Sequence, residues 1–156
     1  MKRNFVYAGL LATICVASLL PLQAHAAQCS QASVAGNWAY TYNGTVFVPN
    51  PLPVAAVGNA RLDASGNVAG SQTHTLAGET EVEDISGTYT VNKDCTGSMT
   101  INVFLNGQLL RTATLNVAYD TDVNHARMIF TSLTLPDGTN LPAVITVDVS
   151  RLATKN

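Results

Sequence analysis

The stretch GTYTVNKDCTGSMTI, residues 87–101, holds the clearest strand–turn–strand pattern in the chain. Tyr89 and Val91 alternate with Thr88, Thr90 and Asn92. Asn92, Lys93 and Asp94 interrupt the run. Met99, Ile101, Val103 and Leu105 then resume it against Ser98, Thr100, Asn102 and Asn106. Successive side chains of a strand point to opposite faces. Period-two alternation on both sides of a polar turn therefore predicts a β-hairpin with one buried face. Cys95 stands at the corner of this hairpin, where it can tie the corner to a distant segment.

The same pattern recurs in both directions. Upstream, Trp38, Tyr40 and Tyr42 alternate with Ala39, Thr41 and Asn43 in a first strand over residues 36–48. Pro49-Asn50-Pro51-Leu52-Pro53 is expected to break it and to fold over an opening or an edge. A second strand is predicted over 54–62. A third over 68–76 carries Val68, Gly70, Gln72, His74 and Leu76 on one face. The loop 63–67 between them is a hairpin by composition. The fourth strand spans 79–92 and the fifth 98–105. Asn106-Gly107 is the strongest two-residue hairpin signal. The sixth strand, 108–119, sets Leu109, Arg111, Ala113, Leu115, Val117 and Tyr119 on one side. A seventh over 125–135 and an eighth over 141–152 complete the series.

No helix-period segment longer than a turn or two accompanies these strands, and 17 threonines follow Ala26. Both features predict an all-β protein. Hairpins in sequence make a meander. An eight-stranded meander removes its edges by closing into an antiparallel up-and-down barrel, with room inside for side chains or one small ligand. An immunoglobulin-like sandwich is the competing architecture. It needs long Greek-key connections, and only the proline segment is long here. Met99, Ile101 and Val103 beside Phe104, and Ile145, Val147 and Val149 beside Val144, make two strands apolar on both faces. That leaves a homo-oligomer open.

Residues 1–26 have the pattern of a secretory signal peptide. Lys2 and Arg3 precede an apolar run that ends near Leu22, and Ala24-His25-Ala26 supplies the small residues of a cleavage site. The expected location is secreted or periplasmic, with no membrane contact after cleavage. Residues 27–156 then form a single β-barrel domain. Removing Lys2 and Arg3 from a chain of formal net charge −2 leaves −4, which offers no electrostatic footprint for nucleic acid. Cys29 and Cys95 remain. In an oxidising compartment two cysteines predict one disulfide. It closes a loop of about 67 residues and contributes about 4 kcal/mol by loop entropy.

Gly36-Asn37-Trp38 near the start of the first strand resembles the G-x-W motif of lipocalins and the wider calycin group. Residues 62–70, LDASGNVAG, and residues 87–97, GTYTVNKDCTG, resemble small secreted bacterial proteins with allene-oxide-cyclase-like or lipocalin-like barrels. The resemblance spans most of the chain after the signal. It implies a barrel that holds a small apolar molecule or cyclises one. Its motifs are structural, so no catalytic residue follows from it.

Candidate ligand-binding residues are Tyr40, Tyr42, His74 and Arg111. His74 shares a face with Val68 and Leu76, and is expected either to point inward as a hydrogen-bonding group or to face solvent beside Thr73 and Thr75. Arg111 shares a face with Ala113 and Leu115. Turned inward it needs a carboxylate, Glu83 or Asp148. The simpler expectation is that it snorkels to water at the strand's open end. Glu79, Glu81 and Glu83 alternate along one face, the usual mark of a solvated face. Asp120-Thr121-Asp122-Val123-Asn124 begins like a calcium loop, but His125 replaces the required glycine and Thr131 the final glutamate, so it reads as a turn. No metal site, cofactor motif, G-x-S-x-G or phosphate loop is present in the sequence. The catalytic residues of any enzyme here are unknown from sequence. The leading expectation is a binder of a small hydrophobic molecule. The alternatives are a cyclase or isomerase acting in the same barrel, and a structural or surface-interaction module.

Overall fold

The computed structural model describes residues 29–153. The signal-peptide assignment falls on residues outside that range. A one-turn helix, α1 (Gln31–Val34), precedes eight strands: β1 (Gly36–Val48), β2 (Asn50–Leu62), β3 (Asn67–Leu76), β4 (Glu79–Val91), β5 (Thr96–Leu105), β6 (Gln108–Tyr119), β7 (His125–Thr134) and β8 (Ala143–Arg151). Each strand pairs antiparallel with its sequence neighbours, and β8 returns to pair with β1 from Trp38↔Arg151 to Val46↔Ala143. The sheet is therefore a closed up-and-down barrel with no free edge. This is the lipocalin- and calycin-like architecture that the sequence resemblance implied, and the sandwich is excluded.

The hairpin at residues 87–101 forms as read, with Tyr89 opposite Met99 and Val91 opposite Gly97. The turn closes through Asn92 N–H donating to Thr96 O at 2.7 Å, with Cys95 at φ +66°. Cys95 is disulfide-bonded to Cys29, with the Cα atoms 5.0 Å apart. That bond holds the N-terminal segment across one end of the barrel. Ser30 and Ser33 cap α1 reciprocally, and the Gln31 side-chain amide donates to Tyr89 O at 2.9 Å. Trp38 is 1% exposed beneath this helix and donates from Nε1 to Val34 O at 2.9 Å. The Arg151 guanidinium lies over the indole, 4.8 Å from its centroid, and donates to Ser33 O at 2.6 Å. A cation on an aromatic face, backed by hydrogen bonds to backbone carbonyls, seals this capped end.

The proline segment departs from expectation. Pro51 and Pro53 lie inside β2, opposite Phe47 and Thr45, and only Pro49 marks the turn. In an antiparallel strand both polar backbone groups of one residue face the same neighbour. Pro53 O accepts from Ala77 N–H at 2.9 Å, so Pro51 and Pro53 turn towards β3, whose pairing with β2 reaches only Val54↔Leu76. The missing N–H of Pro51 falls beyond the end of that ladder, and Pro53 forfeits only the return bond of its last pair, so the prolines are tolerated within the strand.

Leu109 also departs. A register shift between Val103 and Phe104 sets Phe104 opposite Leu109 and Val103 opposite Arg111. This bulge takes Leu109 off the inner face, leaving it 38% exposed, while Arg111, Ala113 and Leu115 stay inside. On the outer wall Val144 is 62% exposed. No helix among the described residues is long and apolar enough to cross a membrane.

Candidate functional site

A cavity of about 610 Å3 occupies the barrel interior. Its wall is mostly apolar, built from the inward residues of all eight strands, among them Val54, Met99, Leu115, Phe130, Ile145 and Val147. α1 and the Cys29–Cys95 bond cover one end. At the other end Glu79 and Glu81, both exposed, belong to the wall, so the cavity opens there.

Tyr40, Tyr42, His74 and Arg111 all line this cavity. Cross-strand register explains their meeting. Tyr40 pairs with Gly58, Gly58 with Gln72, and Gln72 with Glu83, which makes one lateral row on the inner face of β1 to β4. One step towards the mouth, Tyr42, Ala56, His74 and Glu81 form the next row. The middle residue of each row is small, so the tyrosines can lean over β2. A Cβ on Gly58 would lie 2.7 Å from the Tyr40 hydroxyl, and glycine alone leaves that space.

The first row is a hydrogen-bonded chain. Tyr40 Oη donates to Gln72 Oε1 at 3.0 Å, and Gln72 Nε2 donates to Glu83 Oε2 at 2.6 Å. Arg111 closes the chain from the far side, donating from Nη1 to Glu83 Oε1 at 2.7 Å and from Nη2 to Glu83 Oε2 at 2.6 Å. His74 Nδ1 stands 3.5 Å from Glu83 Oε1. Tyr42 stacks obliquely between His74 and Phe130, with centroids 6.1 and 5.8 Å away.

Two expectations are corrected here. Arg111 does not snorkel to water; it makes a bidentate ion pair inside the barrel. Glu83 is not on a solvated face. It is 1% exposed, while Glu79 and Glu81 on the same face are exposed at the rim. The alternation of Ile85 and Tyr89 runs straight back through Glu83 and was the available signal. Gln72 was missed as a site residue, although it shares its face with His74. Of the two carboxylates considered for Arg111, Asp148 faces outward and accepts from His125 instead. Asp120 accepts from Arg127, and Asp122 from the Asn124 backbone, as turn residues do.

The electrostatics hold each group in its usual protonation state. Burial alone would raise the Glu83 pKa, but the hydrogen bonds and charge of Arg111, with help from the Gln72 amide, bring it below the usual carboxylate range. Burial, then the neighbouring Tyr42 and the Glu83 charge, push the Tyr40 phenol well up. Burial, reinforced by the Arg111 charge, lowers His74 and keeps it neutral. An ionised Glu83, a neutral His74 and protonated tyrosines make a set of fixed hydrogen-bonding groups. Acid–base catalysis needs pKa values drawn towards the working pH, and those of Tyr40 and Glu83 are moved away from it.

No family model matches the chain, and no curated protein matches it. Several solved structures are similar to it, two of them as follows. One is the S-type phycobiliprotein lyase CPES from Guillardia theta, at TM-score 0.45 and 8% identity over 80% of this chain and 92% of that one. The other is Rv2717c from M. tuberculosis, at TM-score 0.34 and 16% identity over 78% and 94%. At these scores neither bears on function, and the barrel assignment rests on the strand pairing itself.

The shifts on His74 and Glu83 predict two stages of acid destabilisation. The folded pKa of His74 lies below its unfolded value of about 6.5. As pH falls through that value, the unfolded chain takes a proton that the folded chain refuses, and stability declines. Glu83 contributes fully above its unfolded value of about 4.3, and that contribution is lost as pH falls through the lower folded value. Urea midpoints taken between pH 8 and 3 should therefore fall first near pH 6 and again below pH 4. His74→Gln should remove the upper stage alone; an unchanged profile in that variant would contradict the assignment.

Proposed function

We propose that this protein is exported and binds one small, mainly hydrophobic molecule inside its barrel. The observation that carries the reading is the cavity itself, apolar over most of its wall, with one polar cluster on the β1, β3, β4 and β6 side. Its volume falls within the range of about 300–1,000 Å3 typical of small-molecule sites. Affinity would come from apolar area removed from water, at about 25 cal/mol per Å2. Orientation would come from Tyr40, Tyr42, His74 and Arg111, with Gln72 and Glu83 holding them in place. Export is supported by the pattern of residues 1–26 and by the disulfide, which suits an oxidising compartment.

The cyclase or isomerase reading asks for an enclosed carboxylate or a shifted tyrosine beside the ligand space. Both are present, but Glu83 has its two oxygens engaged by Arg111 and Gln72, and the shifts oppose proton transfer. Binding is the better-supported function.

The neutral dye N-phenyl-1-naphthylamine tests it. Its fluorescence should rise saturably on addition of the protein, with micromolar affinity. Ala60→Phe and Ala113→Phe fill the cavity from two inner-wall positions and should each weaken binding about tenfold or more. Undiminished binding in both folded variants would place the dye elsewhere and end the proposal.

A further inference from the structure

We infer that the molecule held in the barrel is a lipophilic cation, an amine or quaternary ammonium with an apolar body, and not a fatty-acid-like anion. The inference rests on the binding reading above and specifies its ligand class.

Charge is unevenly distributed over the described residues. The cavity wall contains three carboxylates, Glu79, Glu81 and Glu83, and one guanidinium, Arg111. Arg111 gives both forks to Glu83, so that pair cancels. Glu79 and Glu81 have no ion-pair partner among the described residues, and burial keeps His74 neutral between them and the pair. The other described cations lie towards the capped end. Arg151 is on Trp38, Arg127 is on Asp120, Lys93 is in the β4–β5 turn, and Arg61 is one residue from the end of β2. Two uncompensated carboxylates therefore flank the entrance to a low-dielectric interior, where the nearest basic groups are the uncharged His74 and an Arg111 already neutralised by Glu83. A cleft of one charge sign with apolar walls concentrates the opposite charge.

The geometry matches a head-and-body ligand. Glu81 sits in the row of Tyr42 and His74, and Glu79 one row nearer the rim, opposite Leu76. An apolar body occupying the barrel leaves its head at these two rows, where water still reaches a cation. Tyr42 supplies an aromatic ring in the same row, the other kind of group that favours ammonium. A separate observation points to a guest from the opposite end. The hydroxyl of Tyr119, buried in the wall of the same cavity, has no hydrogen-bond partner among the described residues. A buried orphan donor is relieved when the far end of the guest's apolar body carries an acceptor, such as an ether or carbonyl oxygen.

The test is displacement of N-phenyl-1-naphthylamine by decyltrimethylammonium, decanol and decanoate, each below its micelle concentration and at low salt. The cation should bind about tenfold more tightly than the carboxylate, as expected from two partly exposed charge contacts of up to about fivefold each. In Glu79→Gln/Glu81→Gln the ratio of cation to carboxylate affinity should fall by about the same factor. Equal or tighter binding of decanoate, or a ratio unmoved by the double variant, overturns the inference. In that case displacement by decanol leaves the binding function standing, whereas failure of all three ligands removes both. A cation affinity that survives Ala60→Phe would mean adsorption at the rim and would also overturn it.

Discussion

Glu83→Ala is expected to destabilise the fold by about 3–5 kcal/mol, because it strands the Arg111 guanidinium inside the barrel without a counter-charge. Arg111 reaches Glu83 through two short bonds, and Glu83 is the sole carboxylate in contact with it among the described residues. The substitution also removes the acceptor of Gln72, which then loosens its hold on Tyr40. The size of the effect measures a penalty exposed by the variant and not the net worth of the pair. A double variant, Glu83→Leu with Arg111→Met, removes both charges and should recover most of the loss. Urea unfolding of the three proteins decides the matter. A single-variant cost below about 1 kcal/mol would mean that Arg111 escapes to water, as the sequence alone had suggested.

Replacing both cysteines by serine is expected to cost about 4 kcal/mol, within the usual range of about 2–5 for a native bridge. The bridge links residues 66 apart in sequence, so the unfolded chain gains a large ensemble when it is lost. At about 3 °C per kcal/mol for a domain of this size, the thermal midpoint should fall by about 10–15 °C. The damage should begin at the capped end, since the N-terminal segment carrying α1 is anchored there by Cys29. Trp38 is the only tryptophan in the chain and lies under α1, so its emission should shift to the red before the barrel unfolds. Coincident loss of tryptophan and far-ultraviolet signals would instead show that cap and barrel unfold as one unit.

Much of the fold was legible because its signals are local. Alternation around residues 87–101, Asn106-Gly107 and the count of two cysteines each constrain a few neighbouring positions, and all eight strands formed near their expected bounds. Pro51 and Pro53 were misread because proline is a breaker only where its N–H would be used, and that depends on where the neighbouring strand ends. Leu109 was misplaced because a bulge adds one residue and breaks the parity that sequence counting assumes. The four candidate residues do share one cavity, yet the group that organises them, Glu83, was set among solvated glutamates.

Side-chain parity, turn chemistry and cysteine count belong to the chain itself, so sequence was enough for the strands, their order and the bridge. The depth of each side chain in the barrel does not belong to any one strand. It follows from the stagger between neighbouring strands: the β1–β2, β2–β3 and β3–β4 registers place Tyr40, Gln72 and Glu83 in one row, and closure of β8 on β1 encloses that row with Arg111. Glu79 and Glu83 carry the same group on the same face, four residues apart. One is solvated and the other enclosed because the barrel wall rises past Glu83 and stops near Glu79.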